Sequence, residues 1–371
     1  MQKRIQIVSV SIVFIILLIG IIVMNNNSNS KYSFTQDGIK YALTLDGEKV
    51  TSFPSKGMYK AQVTCEGADG KWLYDDWKLA IENIIGAISC DIDFSTITKT
   101  GLTDYIISLT GTTQGTGQVV NENGYRYEGK NPNNYIWFNN EYWRIIGVFD
   151  SASHGQSGRN LVKIIRDETM GGLSWNVSSS GNWANVNLNK LFNGAYYNAT
   201  DGTSSGYCYG YGATATGNCD YTKKGIQDEY RNMIVNAIWY LGGYSNASAN
   251  AEAFYKYERK STTTMGYIGL MYASDYGYSV LASDCARTTN LGSYGSATCA
   301  GQSWLYGKGK EWTLTPVSSI ATIFYLSDDG SLYYAQNAYG GYNSRPVLYL
   351  DSSVFLYDGD GSLENPYIVG M

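Results

Sequence analysis

Residues 125–167 read YRYEGKNPNNYIWFNNEYWRIIGVFDSASHGQSGRNLVKIIRD, and the rest of the chain is organised around them. Three short runs, residues 135–138, 143–149 and 161–166, are rich in β-branched and aromatic residues and are bounded by Asn or Gly, as strands usually are. Asn139–Asn140 separates the first two runs, and this turn-prone pair readily adopts positive φ. A polar Ser/Gly loop separates the second run from the third. The stretch therefore predicts a three-stranded meander that begins a large core.

The composition is typical of a secreted, β-rich protein. Of the 371 residues only 16% are charged, whereas 34 are Tyr, 42 are Gly and 44% are hydrophobic. This hydrophobic content is sufficient to build packed cores and argues against disorder. The net charge of −5 argues against a nucleic-acid partner, because nucleic-acid binding requires a basic surface.

The first 30 residues predict a membrane anchor. Residues 7–24 are nearly all apolar, and as a helix they would span roughly 27 Å, close to the hydrocarbon thickness of a bilayer. Lys3 and Arg4 precede this run, so the positive-inside rule places the remainder of the chain outside the cell. We expect an uncleaved signal anchor and a single-pass protein of the cell membrane with an extracellular C-terminal domain. A cleaved signal peptide is the alternative; a type IV prepilin would carry a Gly before the run and an early Glu, and both are absent.

The cysteines fit an extracellular placement. An even number of cysteines in an exported chain suggests disulfides, although several connectivities are possible. Proximity in sequence favours the pairs Cys65–Cys90, Cys208–Cys219 and Cys285–Cys299. Free buried thiols in a reducing compartment are the alternative. No CxxC motif occurs and His154 is the one histidine, so we expect no metal site and no cofactor.

The composition along the chain suggests four segments. They are the anchor at 1–30, a small β-rich domain at 31–95, a Gly/Thr-rich linker at 96–124 and a large domain at 125–371. Within the small domain, apolar residues over 77–84 recur at helical spacing and predict a short amphipathic helix.

Two further elements are predicted in the large domain. Residues 226–241 give the clearest helix of the chain, because apolar residues recur three or four positions apart and Gly242–Gly243 follow as an end signal. Residues 323–326 and 331–335 flank the turn-forming Asp328–Asp329–Gly330 and predict a hairpin.

Few residues suggest catalysis. The adjacent carboxylates of Asp167 and Glu168 would point apart on a strand, and His154 lies in a loop without a neighbouring Asp or Ser motif. Residues 358–364 match only half of a calcium loop. No GxSxG, P-loop or HExxH motif occurs. We therefore assign no catalytic residue, although two carboxylates brought together by the fold would support a glycan hydrolase.

A ligand-binding surface is predicted on the loop YYAQNAYGGYN at residues 333–343, flanked by the 285–299 cysteine loop. Tyr provides a large contact area at low entropic cost, and Asn and Gly add adaptable hydrogen bonds. The residues expected to contact the ligand are Asn337, Tyr339, Tyr342 and Asn343. Replacing either tyrosine by Ala is expected to weaken binding while leaving the melting temperature nearly unchanged. We assign the neighbouring Arg345 to structure, where its guanidinium would bond buried carbonyls or a carboxylate.

The order of several motifs resembles a known group of proteins. These motifs are YRYEGKNPNNYIWFNNEYWRIIGVFD, LVKIIRDE, VNLNKLFNGAYYN, EWTLTP and SRPVLYLD, between Tyr125 and about Leu350. Their order is similar to that in uncharacterised secreted and surface proteins of Firmicutes with a C-type-lectin-like domain related to formylglycine-generating enzymes. Those enzymes use reactive cysteines, and no position here matches their motif. The resemblance therefore implies binding rather than catalysis.

The combined prediction is an α+β protein with an N-terminal transmembrane helix, a small β-rich disulfide domain and a larger C-type-lectin-like α+β domain. Its predicted function is membrane-anchored, extracellular binding or adhesion. The expected partners are the membrane, through the N-terminal helix, and an extracellular glycan or protein ligand. A surface glycan hydrolase and a structural envelope or pilus-like subunit are the alternatives.

Overall fold

A computed structural model describes residues 31–371 except 58, 75, 97–99, 179–180, 261, 319–321 and 336. The described structure is β-rich, with 37% strand and 15% helix. The chain divides into two compact units, with the boundary between residues 99 and 100. The first unit is described over residues 31–96, and the second unit is Thr100–Met371.

The first unit is a five-stranded sheet with an additional hairpin. Its strands are β1 Phe34–Gln36, β2 Ile39–Leu45, β3 Glu48–Val50, β4 Tyr59–Glu66, β5 Asp69–Leu73, β6 Lys78–Glu82 and β7 Ser89–Thr96. The strand order is β1-β2-β7-β4, with β3 paired to β2. Strands β2 and β7 run parallel, and β4 pairs with β7 in the antiparallel direction. Strands β5 and β6 form the separate hairpin.

The β5-β6 hairpin occupies the place of the helix predicted over residues 77–84, so that prediction is wrong. Trp77 has a positive φ of 49°, which ends any helical path before β6 begins. Leu79 and Ile81 are both buried, and their spacing of two is that of a strand. Ile84, which completed the helical pattern, is instead 45% exposed in the following loop.

The second unit contains seventeen strands among its described residues. They are β8 Thr100–Gly101, β9 Thr113–Gln114, β10 Thr116–Asn121, β11 Tyr125–Asn131, β12 Tyr135–Phe138, β13 Glu141–Phe149, β14 Leu161–Arg166, β15 Gly172–Ser174, β16 Ala237–Tyr240, β17 Thr263–Gly266, β18 Glu311–Pro316, β19 Ile323–Leu326, β20 Leu332–Tyr334, β21 Gly341–Asn343, β22 Val347–Leu350, β23 Phe355–Asp358 and β24 Tyr367–Gly370. The segment predicted as a linker, residues 96–124, contributes the three strands β8, β9 and β10.

Ten of these strands form a half-barrel sheet. Its order is β8-β23-β24-β12-β13-β11-β10-β9, and β14 links β13 to β22. The predicted strands at 135–138, 143–149 and 161–166 correspond to β12, β13 and β14, which confirms the meander. Asn139 and Asn140 both adopt positive φ, at 57° and 59°, and form the turn between β12 and β13. A second sheet has the order β15-β21-β18-β19-β20, and β16 pairs with β17.

The helices of the second unit are short. The α-helices are α1 Leu102–Ser108, α2 Ser151–His154, α3 Asn187–Leu191, α4 Asp228–Arg231, α5 Ala251–Glu258 and α6 Ala273–Gly277. Single 3₁₀ turns occur at Trp183–Asn185, Tyr211–Ala213, Leu291–Ser293 and Ala300–Gln302, and a π-helical turn follows α3 at Phe192–Tyr196.

The helix predicted over residues 226–241 is wrong beyond its first turn. After α4, the backbone N–H of Val235 donates to the carbonyl oxygen of Tyr349 at 2.9 Å, which ties the chain to the edge of β22. Residues 237–240 then form β16 and pair with β17. Tertiary strand pairing has therefore overridden a helical apolar pattern, because a short apolar run fits either element.

These elements contradict the predicted fold class. The α+β arrangement expected from the resemblance to C-type-lectin-like domains required substantial helices, whereas the observed protein is dominated by strands and its longest α-helix among the described residues is α5. The predicted 226–241 helix, which would have supplied much of the helical layer, pairs as a strand. The second unit is accordingly a β-rich unit of two main sheets.

The predicted single-pass location is also corrected. In the part of the chain that the structure describes, no helix combines the length and the apolar character needed to cross a membrane. The predicted anchor helix at residues 7–24 lies outside the described residues.

The predicted disulfides are confirmed. The pairs are Cys65–Cys90, Cys208–Cys219 and Cys285–Cys299, with Cα–Cα distances of 4.1, 6.0 and 5.3 Å. All three bridges join cysteines that are near each other in sequence, as expected for local loop closure in a chain that folds in an oxidising environment.

Candidate functional site

The second sheet carries a row of aromatic side chains on one face. Trp312 of β18 lies directly opposite Tyr325 of β19, which in turn lies opposite Tyr333 of β20. Tyr342 of β21 joins the row from the other side, because β21 pairs with β18 one residue away, at Asn343. Directly opposite residues of neighbouring strands project to the same face of a sheet. We call Tyr342, Trp312, Tyr325 and Tyr333 the aromatic row.

The rings of the aromatic row are in direct contact. The Tyr342 ring centroid lies 4.5 Å from that of Trp312 and 4.5 Å from that of Tyr325. The Tyr325 and Tyr333 centroids are 6.3 Å apart and the rings are tilted by 33°. Trp312 is fully buried and donates its indole N–H to the carbonyl oxygen of Leu173 at 2.8 Å, whereas Tyr333 is 47% exposed. The row therefore begins in the core and ends at the surface.

Burial within the row acts on the phenol of Tyr325. Desolvation, with a smaller contribution from Tyr342, raises the pKa of Tyr325 to about 12. The phenol therefore remains neutral across the physiological pH range. A ligand would contact the row at its exposed end, at Tyr333.

A hairpin between β19 and β20 places the exposed end of the row. Gly330 has a positive φ of 81°, and a Cβ at this position would lie 2.2 Å from the Cβ of Ala300. The turn is held by the carboxylate of Asp329, which accepts from the backbone N–H of Ser331 at 3.0 Å. The predicted Asp-Asp-Gly hairpin is confirmed, and it sets the register that pairs Tyr325 with Tyr333.

The loop after β20 extends this surface. The carbonyl oxygen of Tyr339 accepts from the N–H of Gly212 at 2.9 Å, and the N–H of Asn176 donates to the carbonyl oxygen of Ala338 at 3.0 Å. The 208–219 disulfide loop is thus packed against residues 338–341. It adds Tyr211, which is 80% exposed, beside Tyr339, which is 39% exposed.

The four residues predicted to bind ligand have different environments. Tyr339 is exposed, and Tyr342 belongs to the aromatic row. Asn343 is half-buried, and its side-chain amide donates to the carbonyl oxygen of Lys308 at 2.6 Å, so it supports a turn. Asn337 is half-buried in the loop. Their role in binding stays a prediction.

The sequence reasoning missed Trp312 and Tyr325, and it included Tyr333 in the predicted loop without naming it as a ligand contact. A usable signal was present, because a hairpin centred on Asp-Asp-Gly places positions 325 and 333 opposite each other. Trp312 could not be added by local reasoning, since a register shift between Trp312 and Pro316 determines which residue of β19 lies opposite it.

Arg345 has the structural role predicted for it. Its Nε donates to Glu311 Oε1 at 2.7 Å, and one Nη atom donates both to Glu311 Oε2 and to the carbonyl oxygen of Leu305, each at 2.9 Å. Burial raises the pKa of the Glu311 carboxyl, and the Arg345 guanidinium opposes that shift. This bidentate pair ties β18 to the start of β22 beneath the aromatic row.

The groups considered for catalysis are engaged in internal contacts. His154 is buried, its Nε2 lies 3.1 Å from the carbonyl oxygen of Phe149, and burial lowers its pKa. Asp167 and Glu168 lie 3.7 and 3.3 Å from the ammonium of Lys308. Within the described residues, no group of three or more His, Cys, Asp or Glu side chains could hold a metal ion.

The position of Tyr342 predicts that it contributes to stability, which corrects the expectation that Tyr339 and Tyr342 behave alike. Tyr342→Ala would leave a cavity between Trp312 and Tyr325 and should lower the free energy of unfolding by about 2 kcal/mol or more. Tyr339→Ala, at an exposed site, should change it by no more than about 0.5 kcal/mol. Urea denaturation of both variants measures the difference.

Tyr342→Phe is the matched control, because it retains both ring contacts and should remain near the stability of the wild type. Equal stabilities for Tyr342→Ala and Tyr339→Ala would show that the ring of Tyr342 does not support the aromatic row.

Comparison with protein-family models, with curated proteins and with solved structures gives no match.

Proposed function

We propose that this protein is an extracellular binding protein that recognises a carbohydrate through the aromatic row. The observation that carries the proposal is the continuous contact of four aromatic rings, from fully buried Trp312 to exposed Tyr333. Aromatic faces pack against the C–H face of a sugar ring, and neighbouring polar groups bond to its hydroxyls. The three disulfides support folding outside the cell.

The surroundings of the row support sugar recognition. Lys310 and Asp328, which are 49% and 69% exposed, lie at its rim with 3.7 Å between their charged atoms. These side chains can bond to sugar hydroxyls, and each would lose little by leaving a weak, exposed ion pair. Tyr211, whose backbone lies against Gly341 next to Tyr342, and Tyr339 add further exposed aromatic surface. Rigid strands beneath the row reduce the entropic cost of binding.

Tyr333→Ala tests the proposal directly. Removing the exposed ring should weaken binding of a sugar identified on a glycan array by about 1 kcal/mol or more, roughly fivefold in Kd. The stability of the protein should change little, because the ring is nearly half exposed. Isothermal titration calorimetry with the full chain measures the change in Kd.

Tyr334→Ala is the control. Tyr334 is the next residue of β20, it is 45% exposed, and it projects to the opposite face of the sheet. The Kd of the Tyr334→Ala variant for the same sugar should equal that of the wild type. An equal loss in both variants would contradict recognition by the aromatic row, and a chain that binds proteins but no glycan would contradict the ligand class.

A further inference from the structure

Five ionisable side chains are gathered in the interior of the second unit, away from the aromatic row. Arg126 lies on β11 and Lys163 on β14, Glu258 and Arg259 lie at the end of α5, and Asp275 lies in α6. All are buried except Arg259, whose side chain is 17% exposed. We call these five residues the cationic cluster, because three of its members carry positive charge and two are carboxylic acids.

The two carboxyl groups are already saturated by donors. Asp275 accepts from Arg126 Nη1 at 2.9 Å, from Lys163 Nζ at 2.5 Å and from the backbone N–H of Tyr272 at 2.9 Å. Glu258 accepts from the N–H and hydroxyl of Ser274 and from the hydroxyl of Thr315. Its distance to Arg259 is 4.0 Å, at the outer limit of an ion pair. The positive charge of Arg259 is therefore only weakly compensated by the carboxyl groups of the cluster.

Two guanidinium nitrogens of the cluster remain without an acceptor. Arg126 Nη2 and Arg259 Nε are both buried atoms, and neither has a hydrogen-bond partner in the part of the chain that the structure describes. A buried donor that is left unbonded destabilises the folded state, and does so more strongly when it is charged. An unbonded buried donor in a native protein therefore requires an explanation, and a bound ion is one.

Aromatic rings connect these two donors. The ring centroid of Tyr255 lies 3.5 Å from Arg259 Cζ and 5.8 Å from Arg126 Cζ. Phe149 and Tyr278 lie 4.6 and 4.7 Å from Arg126 on its other sides. Burial raises the pKa of the Tyr349 phenol, and the centroid of this ring lies 5.8 Å from Lys163 Nζ.

We infer that the cationic cluster binds a small carboxylate ion between Arg126 and Arg259. Arg126 Nη2 and Arg259 Nε each have an N–H group to donate, and a carboxylate has two oxygen atoms, so one oxygen can accept from each arginine. One negative charge balances the excess of three cations over two carboxyl groups. A phosphate dianion would exceed that balance and would cost more to desolvate in an aromatic enclosure. Access is from the side of Arg259 and Tyr255, which are both partly exposed.

Formate is the test probe, because it is the smallest carboxylate and its single proton resonance can be followed directly by NMR. With the full chain, we expect saturable broadening of the formate signal that acetate reverses and phosphate does not at equal ionic strength. Arg259→Gln should weaken formate binding at least tenfold. This variant is preferred to Arg126→Gln because Arg259 is partly exposed and its removal leaves the buried ion pairs of Asp275 in place.

Arg159→Gln is the matched control, since Arg159 is an exposed arginine of the same unit that pairs with Asp351. It should leave the broadening unchanged. No broadening with the wild type, or equal broadening with Arg259→Gln, would overturn the inference. Displacement by phosphate as effective as that by acetate would overturn the assignment to carboxylates. Circular dichroism of each variant establishes that it is folded.

Discussion

Asp275→Asn is expected to reduce the unfolding free energy of the second unit by about 3–5 kcal/mol, a large part of the total stability of an ordinary domain. Asparagine keeps the size of the side chain and removes the negative charge. Arg126 and Lys163, whose side chains are each only 1% exposed, would then lose the carboxylate they share. Urea denaturation followed by tryptophan fluorescence measures the loss.

Lys163→Met is the control that separates charge from packing. Burial, only partly offset by Asp275, lowers the pKa of Lys163 to about 8, so the charged amine is disfavoured at this position. Methionine has a similar shape, and Arg126 would still pair with Asp275, so we expect a loss of less than about 1.5 kcal/mol. Equal losses in the two variants would show that disrupted packing, and not an uncompensated charge, causes the effect of Asp275→Asn.

The unfolding free energy at low pH provides a second test of the role of the Asp275 carboxylate. Burial acts to raise the pKa of Asp275, but Lys163 and Arg126 outweigh it and hold the pKa at about 2. A lowered pKa stabilises the folded state above the ordinary pKa of about 4, and this stability is lost as the pH falls towards 2. The unfolding free energy of the Asp275→Asn variant should not show this loss of stability at low pH.

Local sequence signals predicted the elements whose partners are adjacent in the chain. The β12-β13 hairpin depends on Asn139 and Asn140, which tolerate the positive φ that the turn requires. The disulfides close short loops, so proximity alone identified the pairs. Arg345 was correctly assigned to structure because an arginine next to an apolar strand needs a buried acceptor, and Glu311 provides it.

Elements that depend on distant partners were beyond local reasoning. Residues 237–240 form a strand because residues 263–266 pair with them, and no local pattern indicates that partner. The same limit applied to the candidate site, where Tyr342 was assigned to a ligand-binding loop that carries little of the core, although it packs between Trp312 and Tyr325. The cationic cluster was not predicted either, because its members come from four elements between Arg126 and Asp275.

Removal of the Cys65–Cys90 bridge is expected to destabilise the first unit by about 3 kcal/mol, since the bridge closes a 25-residue separation. The first unit is described over residues 31–96, and a unit of this size has little stability to spare. The bridge joins directly opposite residues of β4 and β7. The double variant Cys65→Ala, Cys90→Ala should therefore lose amide protection throughout β4 and β7 in hydrogen exchange measured by mass spectrometry.

The second unit is the internal control in that experiment, because peptides from β12 to β14 should exchange at the wild-type rate.

Gly70→Ala provides an independent test of the packing around the Cys65–Cys90 bridge. A Cβ on Gly70 would lie within 2.3 Å of the Cys65 sulfur, so β5 packs directly against the bridge and the added methyl group should raise exchange in the same strands. Unchanged amide protection of β4 and β7 in the double cysteine variant would contradict this prediction. It would mean that the apolar core around Trp72 and Ile92 is sufficient to hold the sheet together. The bridge would then contribute chiefly to resistance against irreversible unfolding.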